Sequence, residues 1–169
     1  TLETLTKVVS KHDLVIISGG ISVGDYDYVG KALQELQVEE HFYTVKQKPG
    51  KPLFFGTKNN TLIFALPGNP AASLTCFYIY VYIALQKMMR RTELELHRFK
   101  ASSKNSFTRI GDRPQFLKAI YHNGEVTILE GQSSSMLQTF ALSNAFVFVP
   151  GPISKIEIND IVEVILLPN

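Results

Sequence analysis

The chain has one cysteine, Cys76, in 169 residues, so it can form no internal disulfide and does not point to an oxidising compartment. Cys76 lies in an apolar run and reads as a buried structural thiol. Strong charge is also missing. The formal net charge of +2 is too small to argue for nucleic acid, although it leaves room for an anionic small ligand wherever lysines converge. The first twelve residues lack a basic start followed by an apolar stretch, so no secretory leader is read there. The longest apolar stretch, residues 71–89, is broken by Ser73, Thr75, Gln86 and Lys87 and carries three tyrosines, unlike a membrane span of about 20 residues. The four histidines, His12, His41, His97 and His122, are scattered and make no metal cluster by spacing. Internal repeats and low-complexity segments are absent too. These absences lead to the expectation of a soluble, cytoplasmic protein with neither nucleic acid nor membrane as partner.

What is present is a globular balance, 45% hydrophobic and 19% charged, in a length that suits one ordinary domain or two small ones. Residues 1–10 read as the second half of an amphipathic helix, with Leu2, Leu5, Val8 and Val9 on one side and no cap before it. The expectation is that the chain starts in mid-element, as a piece of a longer protein. Up to about Arg91, helix and strand patterns alternate. The run Leu14-Val-Ile-Ile-Ser18 predicts a strand buried on both faces of a parallel sheet. A Gly-rich turn follows, then a helix over 28–36. Strand signals lie at 42–47, 53–55 and 61–66, with a polar turn at 56–60 between the last two. One long helix, apolar nearly all round and about 30 Å in length, is predicted from Pro70 to Met89. Beyond Thr92 short strands and turns take over, at 116–121, 126–129, 145–149 and 161–167, with Asn123-Gly124 a strong hairpin signal. The reading is an α/β domain over 1–92 with a parallel or mixed sheet, then a small all-β, barrel-like domain over 93–169.

Three loops of the first part stand out, each expected at the carboxyl end of a strand, where open α/β sheets bind ligands. The first is Ser18-Gly-Gly-Ile-Ser-Val-Gly-Asp-Tyr-Asp27. Gly19, Gly20 and Gly24 let backbone N–H groups approach an anion, Ser18 and Ser22 add hydroxyls, and the next helix offers its positive end. It is neither a Walker loop nor a dinucleotide-binding glycine pattern. Asp25 and Asp27 either hold Mg²⁺ against a phosphate or, for Asp27, cap the helix. The second loop, Lys48-Pro-Gly-Lys-Pro52, stiffens two lysines so that they converge on phosphate or an oxyanion, unless it is a plain surface turn. The third, Leu66-Pro-Gly-Asn-Pro-Ala-Ala-Ser73, places Asn69 as N-cap and Pro70 at the first helical position, with Gly68 open to a ligand. Together the loops point to a phosphate-binding α/β domain of unspecified substrate.

Read in order, SGGISVGDYD, KPGKP and LPGNPAAS resemble the successive signatures of the MoeA family of molybdopterin molybdotransferases and of the homologous domain of gephyrin. The resemblance covers essentially the whole chain and implies a MogA-like domain followed by the family's C-terminal β domain. It implies binding of adenylylated molybdopterin, its Mg²⁺-dependent cleavage with release of AMP, and insertion of molybdenum from molybdate. It also implies a homodimer, with a pterin adenylyltransferase and molybdoenzyme acceptors as partners. By this resemblance Asp27 is catalytic and metal-binding, and Lys48 and Lys51 are catalytic. Ser18, Gly19, Gly20, Ser22, Gly24, Asp25, Pro67, Gly68, Asn69, Pro70 and Ser73 hold the cofactor. In the β domain Arg113 and Ser135 match positions linked to molybdate, which suits their donor chemistry. The chain departs from many relatives at Thr44, where they carry a basic residue, and at Ile161, where glycine is usual. A further carboxylate of the family site is expected before Thr1, which would leave this chain with part of the site and inactive alone. The other readings are a gephyrin-like scaffold that binds a peptide and a relative of the pterin adenylyltransferases.

Overall fold

The computed structural model describes residues 2–21 and 27–168. Helix α1 (Leu2–Val9) is held by Leu5 and Val9 on one buried side. Strand β1 (Leu14–Ser18) follows, then α2 (Tyr28–Glu35), which buries Val29, Ala32 and Leu33 at helical spacing. Strands β2 (Glu39–Thr44), β3 (Pro52–Lys58) and β4 (Thr61–Leu66) complete a mixed sheet of order β1-β4-β3-β2. Among the described residues of this sheet, β1 and β4 are the one parallel pair, Leu14 beside Leu62 through Ser18 beside Leu66. Along β4 the side chains alternate faces. Ile63 and Ala65 pack with α1 and α2, while Phe64 and Leu66 pack with Cys76 and Val81 on the other face. Each large apolar side chain buried this way contributes roughly 1.5–3 kcal/mol.

Three expectations for this sheet are corrected. Strand β1 is an edge, paired only with β4 among the described residues, so Ile16 is 42% exposed and not covered on both faces. The polar turn shrinks to Asn59-Asn60, because Gly56 to Lys58 continue β3 and pair with β4. Strand β2 lies earlier than its apolar signal, since the antiparallel ladder with β3 runs back to Glu39.

The single long helix divides into α3 (Pro70–Cys76), a π-helical turn at Phe77–Val81, and α4 (Tyr82–Met88). The π turn inserts a residue and rotates the apolar face. Burial is accordingly deep in α3 (Ala71, Ala72, Thr75, Cys76), whereas α4 has no fully buried residue. No helix among the described residues is long and apolar enough to cross a membrane.

The second unit comprises β5 (Arg98–Ser103), β6 (Phe107–Thr108), β7 (Gln115–His122), β8 (Glu125–Ile128), α5 (Leu137–Leu142), β9 (Ala145–Val149), β10 (Lys155–Ile156) and β11 (Ile161–Leu166). Five strands close a barrel in the order β11-β5-β8-β7-β9, and β6 pairs with β10 beside it. The hairpin expected at Asn123-Gly124 joins β7 and β8, with both residues at positive φ as a two-residue turn requires. Alternate residues Leu117, Ala119, Val126, Ile128, Val147 and Val164 fill the barrel. The outward row, including Phe116, Phe146 and Ile165, packs with Phe140 of α5 and with Ala71 and Ile79 of the helix. The two units therefore share a core, and α3 is the element that joins them.

Candidate functional site

Since β1 and β4 are parallel and β3 is antiparallel to β4, the ends of β1, β2 and β4 and the start of β3 lie at one edge of the sheet. That places all three sequence loops together. Gly19 and Gly20 leave β1 at positive φ, and the Gly19 N–H donates to Leu66 O at 3.0 Å, so the first and third loops are stitched at their roots. They run in contact, because a Cβ on Gly19 would lie 3.8 Å from Gly68 Cα.

The second loop is tied down on both sides. Lys48 adds its backbone to the barrel as a short parallel bridge to Gln115: Lys48 N–H donates to Pro114 O at 2.9 Å, and Phe116 N–H donates to Lys48 O at 2.9 Å. The Lys48–Pro49 peptide is cis. Beneath the loop lies Gln47, a polar side chain only 3% exposed. Its amide donates to Pro49 O at 2.9 Å, and its Oε1 accepts from the Tyr80 hydroxyl at 2.5 Å. Cys76 Sγ touches both Gln47 Nε2 and Gly50 O at 3.7 Å. Burial pushes the Cys76 thiol up to about 12, so it is neutral and unreactive in the fold, as the sequence implied. Burial, and then the neighbouring Cys76, push the Tyr80 phenol up to about 12.

Between the sheet edge and the barrel opens a cleft of about 490 Å³. Lys48, Lys51, Pro67, Gly68, Asn69 and Arg113 line it, as do Gln132 and Ser134, and among the described residues no carboxylate does. Arg113 donates to Gln47 O at 3.2 Å, which ties it to the lysine loop. The segment carrying Arg113 is braced by Arg109, whose guanidinium donates to Ile153 O at 2.7 Å, to Arg113 O at 3.1 Å and to Gly151 O. Three cations converging on one cleft are suited to a multiply charged anion.

Several sequence candidates lie elsewhere, whereas Asn69 lines the cleft without capping the helix as expected. The Ser135 hydroxyl shares a 3.0 Å contact with that of Ser133, and of these serines it is Ser134 that lines the cleft. Asn69 occupies the N-cap position but does not cap with its side chain; its amide donates across to Ser134 Oγ at 3.1 Å. Ser73 sits in the first turn of α3, Pro70 begins it, Ser18 is on the exposed β1 edge, and Gly20 O accepts from Val29 N–H at 3.2 Å. Asp27 caps α2, accepting from Gly30 N–H at 2.9 Å and from the Tyr43 hydroxyl, and borders a separate hollow of about 380 Å³. Burial first, then the Asp27 hydrogen bond and charge, push the Tyr43 phenol well above its usual range. Ser22, Gly24 and Asp25 lie outside the described residues. Sequence reasoning missed Gln47, Gln132 and Ser134. Only Ser134 had a signal, as one of three consecutive serines; a buried glutamine is invisible until its partners are known.

Comparison with known proteins fits this geometry. Residues 1–91 match the family described as "Probable molybdopterin binding domain", and residues 100–167 match "MoeA C-terminal region (domain IV)". A molybdopterin molybdenumtransferase of Staphylococcus epidermidis is 31% identical over 170 residues, covering 98% of this chain and 41% of that protein. The molybdenum cofactor synthesis protein cinnamon of Drosophila melanogaster is 32% identical over 156 residues, 89% of this chain and 26% of its own length. A solved structure of the molybdopterin biosynthesis MoeA protein of Pyrococcus horikosii matches with a TM-score of 0.81 and 27% identity, over 99% of this chain and 40% of that one. This chain thus spans about two fifths of the staphylococcal and archaeal relatives.

Proposed function

The chain belongs to the MoeA family, and from that premise we propose that it supplies the oxyanion half of a site that inserts molybdenum from molybdate into adenylylated molybdopterin with release of AMP. One observation carries this reading: Lys48, Lys51 and Arg113, which come from two units, converge on a single cleft that no carboxylate lines among the described residues. Molybdate is a tetrahedral dianion. Two ammonium groups and a guanidinium can neutralise it while the Ser134 hydroxyl, which accepts from Asn69 and keeps its own proton, donates to one of its remaining oxygens. Gly68, lacking a side chain, leaves the strand end open so that a pterin phosphate can reach the start of α3. The same cations would stabilise charge that builds on a phosphoanhydride as it breaks.

Magnesium fits the described residues poorly. Among them no three His, Cys, Asp or Glu side chains come together, and both oxygens of Asp27 already accept hydrogen bonds. Homodimerisation, by which a second copy would complete the site, is part of the same proposal. The five-stranded barrel joined to the sheet argues against a lone pterin adenylyltransferase domain.

The test is calorimetric titration of the chain with molybdate, together with cofactor reconstitution from adenylylated molybdopterin. Lys48→Ala and Arg113→Ala should each weaken molybdate binding by roughly ten- to a hundredfold with an unchanged circular dichroism spectrum, in keeping with about 1.5–3 kcal/mol for a charged hydrogen bond. If the chain does not bind molybdate, and a longer protein that carries the rest of the site releases no AMP, the enzyme reading fails. A scaffold whose groove takes a partner peptide would then be the better account.

A further inference from the structure

The sequence gives strand β7 an oddity, a lysine between Leu117 and Ala119, both of which point into the barrel. Lys118 lies in the outward row with Phe116, yet it is only 4% exposed. The curl formed by residues 131–136 covers it. Its Nζ donates to Gly131 O at 2.9 Å, Ser133 O at 3.1 Å and Met136 O at 3.2 Å, so all three ammonium protons are used on carbonyl groups. Among the described residues no carboxylate pairs with it.

The same curl reaches the cleft. Gln132 clasps the Lys118 backbone, its Oε1 accepting from Lys118 N–H at 2.9 Å and its amide donating to Lys118 O at 2.9 Å. Ser134 then meets the connector that opens α3: its carbonyl accepts from Ala71 N–H at 3.2 Å and its hydroxyl from Asn69 at 3.1 Å. Gln132 and Ser134 are the two residues of this curl that line the cleft.

Three carbonyl oxygens drawn to one point repel each other and, once buried, need a donor at their centre. An ammonium satisfies all three at once, as a bound cation would. If the position needed only apolar packing, a hydrophobic side chain would serve without the cost of burying a charge. Its register partner on β9, Phe146, is of that kind. That cost is visible in the lysine itself, since burial pulls its ionisation below the usual lysine range.

We propose that Lys118 is a positioning residue for the oxyanion end of the cleft. Its ammonium gathers the 131–136 carbonyls, which sets Ser134 and Gln132 against the Asn69–Ala71 connector, and its unpaired charge adds to the field of Lys48, Lys51 and Arg113. The second effect rests on the oxyanion reading above, whereas the first does not. The Gly131, Ser133 and Met136 carbonyl groups are taken up by the lysine, and the Gln132 amide is spent on Lys118 O and Leu129 O, which leaves the Ser134 hydroxyl as the donor of the curl that an anion meets.

The experiment compares the chain with Lys118→Met, Lys118→Arg and Lys118→Gln by residue-resolved amide exchange and by molybdate calorimetry. Lys118→Met should keep Val147 in the barrel protected while Ala71 and Met136 exchange at least tenfold faster, and molybdate affinity should fall at least tenfold. Lys118→Arg, which keeps charge and donors, should recover most of both. An Ala71 rate and a molybdate affinity that stay at the wild-type level in Lys118→Met overturn the proposal. If Lys118→Met does not fold, Lys118→Gln decides: wild-type affinity without the charge overturns it, and a tenfold loss with an intact barrel supports it. If the wild-type chain binds no molybdate, the oxyanion reading falls, and exchange at Ala71 still tests the ordering of the curl alone.

Discussion

Replacing Gly50 by alanine probes the packing beneath the lysine loop, and the structure sets both parts of its cost. Gly50 has φ of +86°, a left-handed conformation that costs an L-residue roughly 1–2 kcal/mol. The added Cβ would also collide with Cys76 Sγ and lie 3.2 Å from Gln47 Nε2 and 3.5 Å from Ala72 O. Cys76 is fully buried, so its sulfur has no solvent into which to swing, and such overpacking typically costs about 1–3 kcal/mol. The expected destabilisation is about 2–5 kcal/mol, read from urea unfolding by linear extrapolation. Cys76→Ala removes the sulfur and relieves the steric part, but it leaves the backbone part. The double variant should therefore be more stable than the two single changes predict, by about 1–3 kcal/mol. Because Lys48 and Lys51 flank Gly50, Gly50→Ala should also weaken molybdate binding about tenfold or more, a loss of roughly 1.4 kcal/mol. A destabilisation under about 0.5 kcal/mol, or strict additivity in the double variant, refutes the argument that the sulfur and this backbone are in forced contact.

Two further outcomes are expected. Asp27→Ala removes the cap of α2 and strands the Tyr43 hydroxyl, and should cost about 1–3 kcal/mol in urea unfolding; Asp27→Asn, which keeps an acceptor, should cost less than about 1 kcal/mol. If Asp27→Asn, though folded, loses AMP release in reconstitution, the carboxylate charge has a chemical role beyond the cap; retained turnover limits Asp27 to the cap. The second outcome concerns alkaline pH. The Cys76 thiol is raised from 9.0 to about 12 in the fold, so the unfolded chain ionises first. Its contribution is fully present below about pH 9 and is lost towards pH 12, at roughly 1.4 kcal/mol per unit and about 4 kcal/mol in all. Urea midpoints from pH 8 to 11 should fall more steeply for the wild type than for Cys76→Ala, and parallel slopes would contradict the buried neutral thiol.

The local grammar was legible in the residues. The limits of β4 and β9, the Asn123-Gly124 hairpin and the buried face of α2 follow from side-chain period and turn chemistry, which are decided among near neighbours. The three loops were legible as well, because Gly, Pro, Lys and Asn at strand ends restrict the backbone wherever the rest of the chain goes. Their meeting at one sheet edge was also implied, through the alternation of strand and helix.

Other features depend on groups far apart in sequence, and only the tertiary structure decides them. The run in β1 looks doubly buried until its place at the edge of the sheet exposes Ile16. The apolar helix looks uniform until the π turn shifts its packing and leaves α4 half-covered. Within a run of three serines, sequence cannot say which hydroxyl faces the cleft. The contact of Ser134 with Asn69, 65 residues away, makes that choice. Gln47 and Lys118 are ordinary polar residues in the sequence, and they become structural centres only when Tyr80, Cys76 and the 131–136 carbonyls close around them. Backbone preference is a local property, but the energy of a buried polar group is set by partners that only folding brings within reach.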